Sequence, residues 1–219
     1  MALTKFNFNS FDVTSAGSKG LGFNASANGF STIDPGAMTL IKTLTASSSS
    51  TLSFVDGSSD VVLDNTYPVY MFKFVNCHPS ENLAEFGFKS SINTGSGYGV
   101  ATTTTHFYSG HEEDDSWTNL GYATSFDLAQ STGLGVIQGN VKNDNDIGVS
   151  GTMHLFNPSS TTFVKHFVSN TNSVGTDENT NSYHAGYVNT TSAVDAVQFS
   201  FSGGNIDSGT IKLYGIKDS

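Results

Sequence analysis

Arginine is absent from this 219-residue chain, and its nine lysines stand singly among 19 acidic residues. Affinity for a phosphate backbone comes from clustered cations that displace condensed counterions. A formal net charge of −10 without one guanidinium excludes nucleic acid as the natural partner, and an anionic membrane surface with it. Cysteine is nearly missing too. Cys77 is the lone thiol, so no internal disulfide staples the fold, and its place after Met71-Phe72-Lys73-Phe74-Val75 makes it a small buried hydrophobe. No stretch approaches the ~20 consecutive apolar residues of a membrane-spanning helix. The opening Met1-Ala2-Leu3-Thr4-Lys5-Phe6-Asn7-Phe8 also lacks the apolar core of about 7–15 residues found in a secretory signal. The expectation is a chain folded in a reducing cytoplasm without membrane insertion.

Helical periodicity is scarce as well, apart from a single turn near 79–83. What the chain has instead is alternation. Val197-Gln198-Phe199-Ser200-Phe201 and Gly209-Thr210-Ile211-Lys212-Leu213-Tyr214-Gly215-Ile216 place apolar and polar side chains on opposite faces of a pleated strand. Segments 40–45 and 51–55 flank the turn Ala46-Ser47-Ser48-Ser49-Ser50. Segment 68–75 is apolar on both faces, as a central strand covered on both sides would be. Ala84, Phe86 and Phe88 alternate with Glu85, Gly87 and Lys89. Further strands are expected at 61–63, 98–106, 120–128, 151–156, 161–168, 183–188 and 195–202. Asn157-Pro158-Ser159-Ser160 reads as a type I turn whose proline pre-sets the backbone. About ten short strands with turn residues between them predict an all-β fold, an antiparallel β-sandwich of jelly-roll type.

The first 36 residues differ. Phe6, Phe8, Phe11, Phe23 and Phe30 stand apart among Asn, Ser, Gly and Ala, too dispersed to form a core of their own. Isolated phenylalanines make poor solvated linker. The segment is therefore divided off as an extended arm, 1–36, whose rings fill pockets on its own body or on a neighbour, ahead of a sandwich domain at 37–219. Irregular strands within one domain are the other reading. Several strands in the body are flanked by neutral Ser and Thr rather than by the charges that guard open edges, which predicts a closed homo-oligomer, a trimer among the candidates.

Few residues carry recognisable chemistry. The run His111-Glu112-Glu113-Asp114-Asp115 is the densest cluster of charge. Glu112, Glu113, Asp114 and Asp115 are calcium candidates by composition, but the spacing of ligands and glycine in an EF-hand is missing, and a solvated loop is the simpler reading. Asp144 and Asp146 read as an Asx-rich turn. The six histidines form no HExxH or HxH pattern, which leaves zinc unsupported. If the Asn157-Pro158 turn closes as four residues, His154 falls opposite Phe163. Serine never occupies a Gly-x-Ser-x-Gly elbow, and Gly95-Ser96-Gly97-Tyr98-Gly99 lacks the Gly-Lys ending of a phosphate loop. The chain reads as non-enzymatic, with no cofactor. Trp117 and Tyr108 flank the acidic run and are the candidate contacts for a sugar ring on a host-surface glycan; the other tyrosines are as readily core or oligomer contacts.

The closing Ser202-Gly203-Gly204-Asn205-Ile206-Asp207-Ser208-Gly209-Thr210-Ile211-Lys212-Leu213-Tyr214-Gly215-Ile216-Lys217 resembles the last strand of β-sandwich virion proteins of tailed bacteriophages, marine and cyanobacterial ones among them. The hairpin Leu40-Ile41-Lys42-Thr43-Leu44-Thr45 to Thr51-Leu52-Ser53-Phe54 and the strand Pro68-Val69-Tyr70-Met71-Phe72-Lys73-Phe74 are similar to earlier elements of the same group. The resemblance implies a capsid decoration or a tail-fibre or head-fibre component, assembled in the host cytoplasm with itself and with capsid or tail proteins. It brings no catalytic residues. A carbohydrate- or receptor-binding module at a fibre tip is the alternative it allows. The arm and the acidic loop have no counterpart in that group.

Overall fold

The computed structural model describes residues 20–23, 26, 29–33, 36–175 and 177–218. It divides into two units, 1–39 with 219, and 40–218.

In the first unit, β1 (Gly20–Phe23) pairs antiparallel with β2 (Phe30–Ile33), and Phe23 stands opposite Phe30. Their rings stack at 5.2 Å. The described part of the expected arm forms a hairpin, on which these two phenylalanines stack while staying exposed. The run Asn24-Ala25-Ser26-Ala27-Asn28-Gly29 between them is rich in residues that favour chain reversal. Phe6, Phe8 and Phe11 lie outside the described residues.

The second unit is a two-sheet antiparallel sandwich, whose first strand begins two residues before the division at Leu40. Its strands are β3 (Met38–Thr45), β4 (Leu52–Val55), β5 (Val69–Pro79), β6 (Ala84–Ser91), β7 (Thr102–Glu112), β8 (Thr118–Tyr122), β9 (Gly135–Val141), β10 (Val149–Phe156), β11 (Lys165–Val174), β12 (Glu178–Val188), β13 (Ala196–Phe201) and β14 (Ile206–Ile216). An eight-stranded sheet runs β3-β14-β5-β10-β11-β12-β7-β8, and a four-stranded sheet runs β4-β13-β6-β9. Among the described residues the only helical element is a 3-10 turn, Thr124–Phe126; the turn expected near 79–83 is irregular, with Leu83 at φ 57°.

Alternation fixes which face each strand buries. Tyr70, Phe72 and Phe74 of β5 point inward, as do Phe86 and Phe88 of β6 and Val197, Phe199 and Phe201 of β13. Their rings interlock across the two sheets: Phe72 meets Phe54 at 5.4 Å and Phe199 at 5.1 Å, and Phe74 meets Phe86 at 5.2 Å, all edge-on. Such edge-to-face pairs add about 0.5–1.5 kcal/mol each beyond area burial. Cys77 sits in this core; burial pushes its thiol up to about 12.

Several expectations need correction. β5 is covered on one face only, because just one layer packs on the larger sheet; Lys73 is exposed, and Val69, Met71 and Val75 are half-buried. Val61 and Leu63 are buried but belong to a loop, where the Leu63 amide donates to Asp56 Oδ1. β9 is an additional strand, its glycines and Gln138 masking the alternation. Asn157 does open a turn, with the Ser160 amide donating to its carbonyl, but the connection continues to residue 164. The β10–β11 register therefore places His154 opposite Val168 rather than Phe163, which lies 67% exposed in the loop.

The two sheets differ in width, and that difference creates the site. Strands β11, β12, β7 and β8 carry the larger sheet beyond β9, the edge of the smaller one. Hydrogen bonds tie β9 to this overhang: Thr171 Oγ1 lies 2.6 Å from the Ile137 carbonyl and 3.1 Å from Gln138 Oε1, and His106 Nδ1 lies 3.2 Å from the Val136 carbonyl.

Candidate functional site

Where the larger sheet overhangs β9, its inward face is polar instead of apolar. Strand register lays out the rows. Ser173 of β11 stands opposite Thr180 of β12, which stands opposite Gly110 of β7; the next row is Thr171, Ser182 and Tyr108; the next is Ser169, His184 and His106. Ser173, Thr180, Ser182, Tyr108 and His106 of these rows line a cleft of about 420 Å³, within the range of small-molecule sites. The β9 edge (Gln138, Gly139, Asn140) forms one wall, and the segment 122–126 forms another.

Two glycines shape the aromatic end. A Cβ at Gly110 would lie 2.4 Å from Trp117 Cζ3, so the indole rests directly on the β7 backbone. A Cβ at Gly121 would lie 2.9 Å from the Tyr108 ring, which rests on β8 in the same way. Tyr108 Oη accepts a hydrogen bond from Asn119 Nδ2 at 3.0 Å. The structure therefore brings together Trp117 and Tyr108, the two candidate sugar contacts, in one cleft. Phe126 closes the opposite end, its ring 5.1 Å from His106 and against the Gly139 backbone.

The acidic run explains how Trp117 is placed. Glu112 and Trp117 close the β7–β8 hairpin through the Glu112 amide and the Trp117 carbonyl, 3.0 Å apart. Asp115 takes a left-handed φ of 62°, and the Ser116 amide donates to Asp114 Oδ1 at 2.9 Å. Hydrogen bonds from Ser116 hold the Asp114 carboxyl below its usual range. Glu112 accepts from Ser116 Oγ, and Asp115 pairs with His111 at 3.2 Å. Glu112, Glu113 and Asp114 also border a shallow depression with Lys142, Asp177 and Glu178. Among the described residues no three His, Cys, Asp or Glu side chains group as a metal site.

Burial marks the deeper end. His184 is 1% exposed, and neither of its ring nitrogens has a hydrogen-bond partner. Burial, with His106 adding to it, pushes its pKa down to about 3. Burial also lowers His106, against the opposing pull of the Val136 carbonyl and Asp127. Ser173 is 4% exposed with an unpartnered Oγ, and it lines the cleft. Gln138, Ser173 and His184 escaped the sequence reading because their convergence depends on strand pairing far apart in the chain. Only the run Ser169, Thr171, Ser173, polar at every second position of β11, hints at a wet inner face.

The outer face of the same overhang is aromatic. Phe107 of β7 pairs with Tyr122 of β8 and Tyr183 of β12 in one row, and the Phe107 and Tyr183 rings stack at 4.8 Å. All three are exposed, and Leu120 beside them is 76% exposed. Tyr122 Oη donates to Asp127 Oδ2 at 2.6 Å, which fixes that ring.

Compared with known protein families, curated proteins and solved structures, the chain has no match. Among the described residues no helix is long and apolar enough to cross a membrane.

Proposed function

We propose that this protein is a non-enzymatic structural component of a virion, a capsid decoration or a fibre part, assembled in the host cytoplasm as a closed homo-oligomer that attaches to capsid or tail proteins. The observation that carries this reading is strand order. Setting aside the hairpins β7–β8 and β11–β12, the two sheets run β3-β14-β5-β10 and β4-β13-β6-β9. We read that order as two interlocked Greek keys, a jelly roll, the architecture used by viral capsid and lectin domains. The closing strand that resembles phage virion proteins is β14, an internal strand of the larger sheet between β3 and β5.

Fold alone serves many functions, so the assembly claim rests on surface. The two inserted hairpins widen one sheet and present Phe107, Tyr122, Tyr183 and Leu120 to solvent. A contiguous exposed patch of this kind marks an interaction site. Aromatic anchors are where interface energy concentrates, and a second copy of this chain is the partner we assign. Sedimentation of the full-length protein should give one discrete oligomer, and Phe107→Asp with Tyr183→Asp should shift it to monomer without loss of the folded spectrum. A wild-type protein that stays monomeric and co-purifies with no particle overturns the reading.

A further inference from the structure

We infer that the cleft between the overhanging sheet and the β9 edge is a binding site for a neutral saccharide. This goes beyond the assembly role and does not depend on it.

The chemistry of the walls decides the ligand class. A pyranose has an apolar C–H face and a rim of hydroxyl groups, so its receptor needs a flat aromatic surface beside a row of hydrogen-bonding groups. Trp117 supplies the flat surface, 39% exposed and backed by the Gly110 backbone so that its free face is held in one orientation. The row beside it is Ser173 and Thr180, which share the register line that ends at Gly110 beneath the indole. Asn140 is exposed on the facing edge.

Ser173 is the second, independent pointer. Its hydroxyl is nine-tenths buried, faces the cleft and has no protein partner. A buried hydroxyl without a hydrogen bond costs free energy that a sandwich interior seldom tolerates. A ligand hydroxyl at that position would satisfy it.

Charge sets the neutrality. Among the described residues lining the cleft, Glu178 is the one carboxylate and no lysine is present. Burial lowers the pKa of His106 and so disfavours its cationic form. A sialylated or sulfated sugar would meet Glu178 with no counter-charge, whereas Glu178 can accept hydrogen bonds from neutral sugar hydroxyls.

The test uses a natural reporter, since Trp117 is the only tryptophan in the chain. The full-length protein is titrated with neutral hexose and N-acetylhexosamine oligosaccharides and with sialylated and sulfated counterparts, reading indole emission and acrylamide quenching. A neutral member should change the emission and protect the indole in a saturable way. Ser173→Ala, which removes the hydroxyl without adding bulk, should weaken that binding at least tenfold, while Phe163→Ser in the exposed loop after β10 leaves it unchanged. Native mass spectrometry of the same mixtures supplies a readout for Trp117→Ala, which should also lose binding. Three results would overturn the inference: no neutral sugar in the panel binding, an anionic sugar binding in preference, or neutral binding that survives both Ser173→Ala and Trp117→Ala.

Discussion

His184 of β12 lies directly opposite His106 of β7, with ring centroids 5.7 Å apart in the closed interior of the overhang. Phe167 packs on the other side of His184 at 5.3 Å, and Asp127 Oδ1 accepts the His106 amide. Two imidazoles so close and so buried cannot both take a proton. The folded state holds the pKa of His184 at about 3, below the ordinary histidine value of 6.5 that the unfolded chain regains. The unfolded chain therefore binds more protons across that interval, so stability is full above about pH 6.5 and falls as pH drops towards 3. His106 and His154, both also lowered by burial, act in the same direction. Thermal melts between pH 7 and 5, above most carboxylate titration, should show a falling midpoint. In His184→Leu the fall should be shallower. An identical pH profile in that variant would show that His184 is not the proton acceptor on unfolding.

Phe199 sits at the centre of the aromatic core. Its ring lies within 5.1–6.4 Å of Phe54, Phe72, Phe74, Phe86 and Phe88. Truncation there leaves a cavity bounded by rings from both sheets that cannot collapse without shifting either one. Phe199→Ala should cost about 3–5 kcal/mol, at the severe end for core substitutions. For a chain of this length that lowers the melting midpoint by about 6–20 °C. Phe163→Ala, in the exposed loop, is the matched control and should change the midpoint little.

Much of this core was legible from residue order alone. The alternation of Ala84, Phe86 and Phe88, and of Val197, Phe199 and Phe201, gives the inward faces that the structure has. Period-two patterning fails where a strand is widened by glycine or lined by polar residues, as in β9, because the inner face no longer differs from the outer one. It also fails for register. The loop after Asn157 is longer than its turn, so every pairing between β10 and β11 moves. The cleft was legible only as two aromatics near an acidic run. Which face they occupy follows from Gly110 and Gly121, whose missing side chains matter only once β7 and β8 are paired.

Lys165 shows the opposite case, a charge that the pattern places inside. It occupies an inward position of β11 with its side chain fully buried, and its Nζ donates to the carbonyls of Phe163 at 2.9 Å and Thr190 at 3.0 Å. Those bonds pin the loop after β10 to the segment after β12. Burial lowers its pKa, so the ammonium is costly to keep there. Lys165→Met removes the charge but strands two carbonyls, and we expect a loss of about 1–3 kcal/mol. Hydrogen exchange should rise at 158–164 and 189–194 before it rises in the core. Exchange unchanged in both segments would mean that the ammonium pins nothing.

The contact between Gly110 and Trp117 permits a cleaner dissection. Any side chain at residue 110 must displace the indole, because the nearest ring atoms would stand 2.4 and 2.5 Å from its Cβ. Gly110→Ala should therefore shift Trp117 emission to the red, raise its quenching by acrylamide, and destabilise the fold by about 1–3 kcal/mol through overpacking. Trp117→Ala alone removes the ring and costs only the packing of a partly exposed side chain. With the ring gone, the alanine at 110 has room, so the double variant should be more stable than the sum of the two single losses predicts. Residues in contact show coupling of about 0.5–3 kcal/mol in such cycles. Strict additivity would place the indole away from the β7 backbone and remove the flat wall of the cleft.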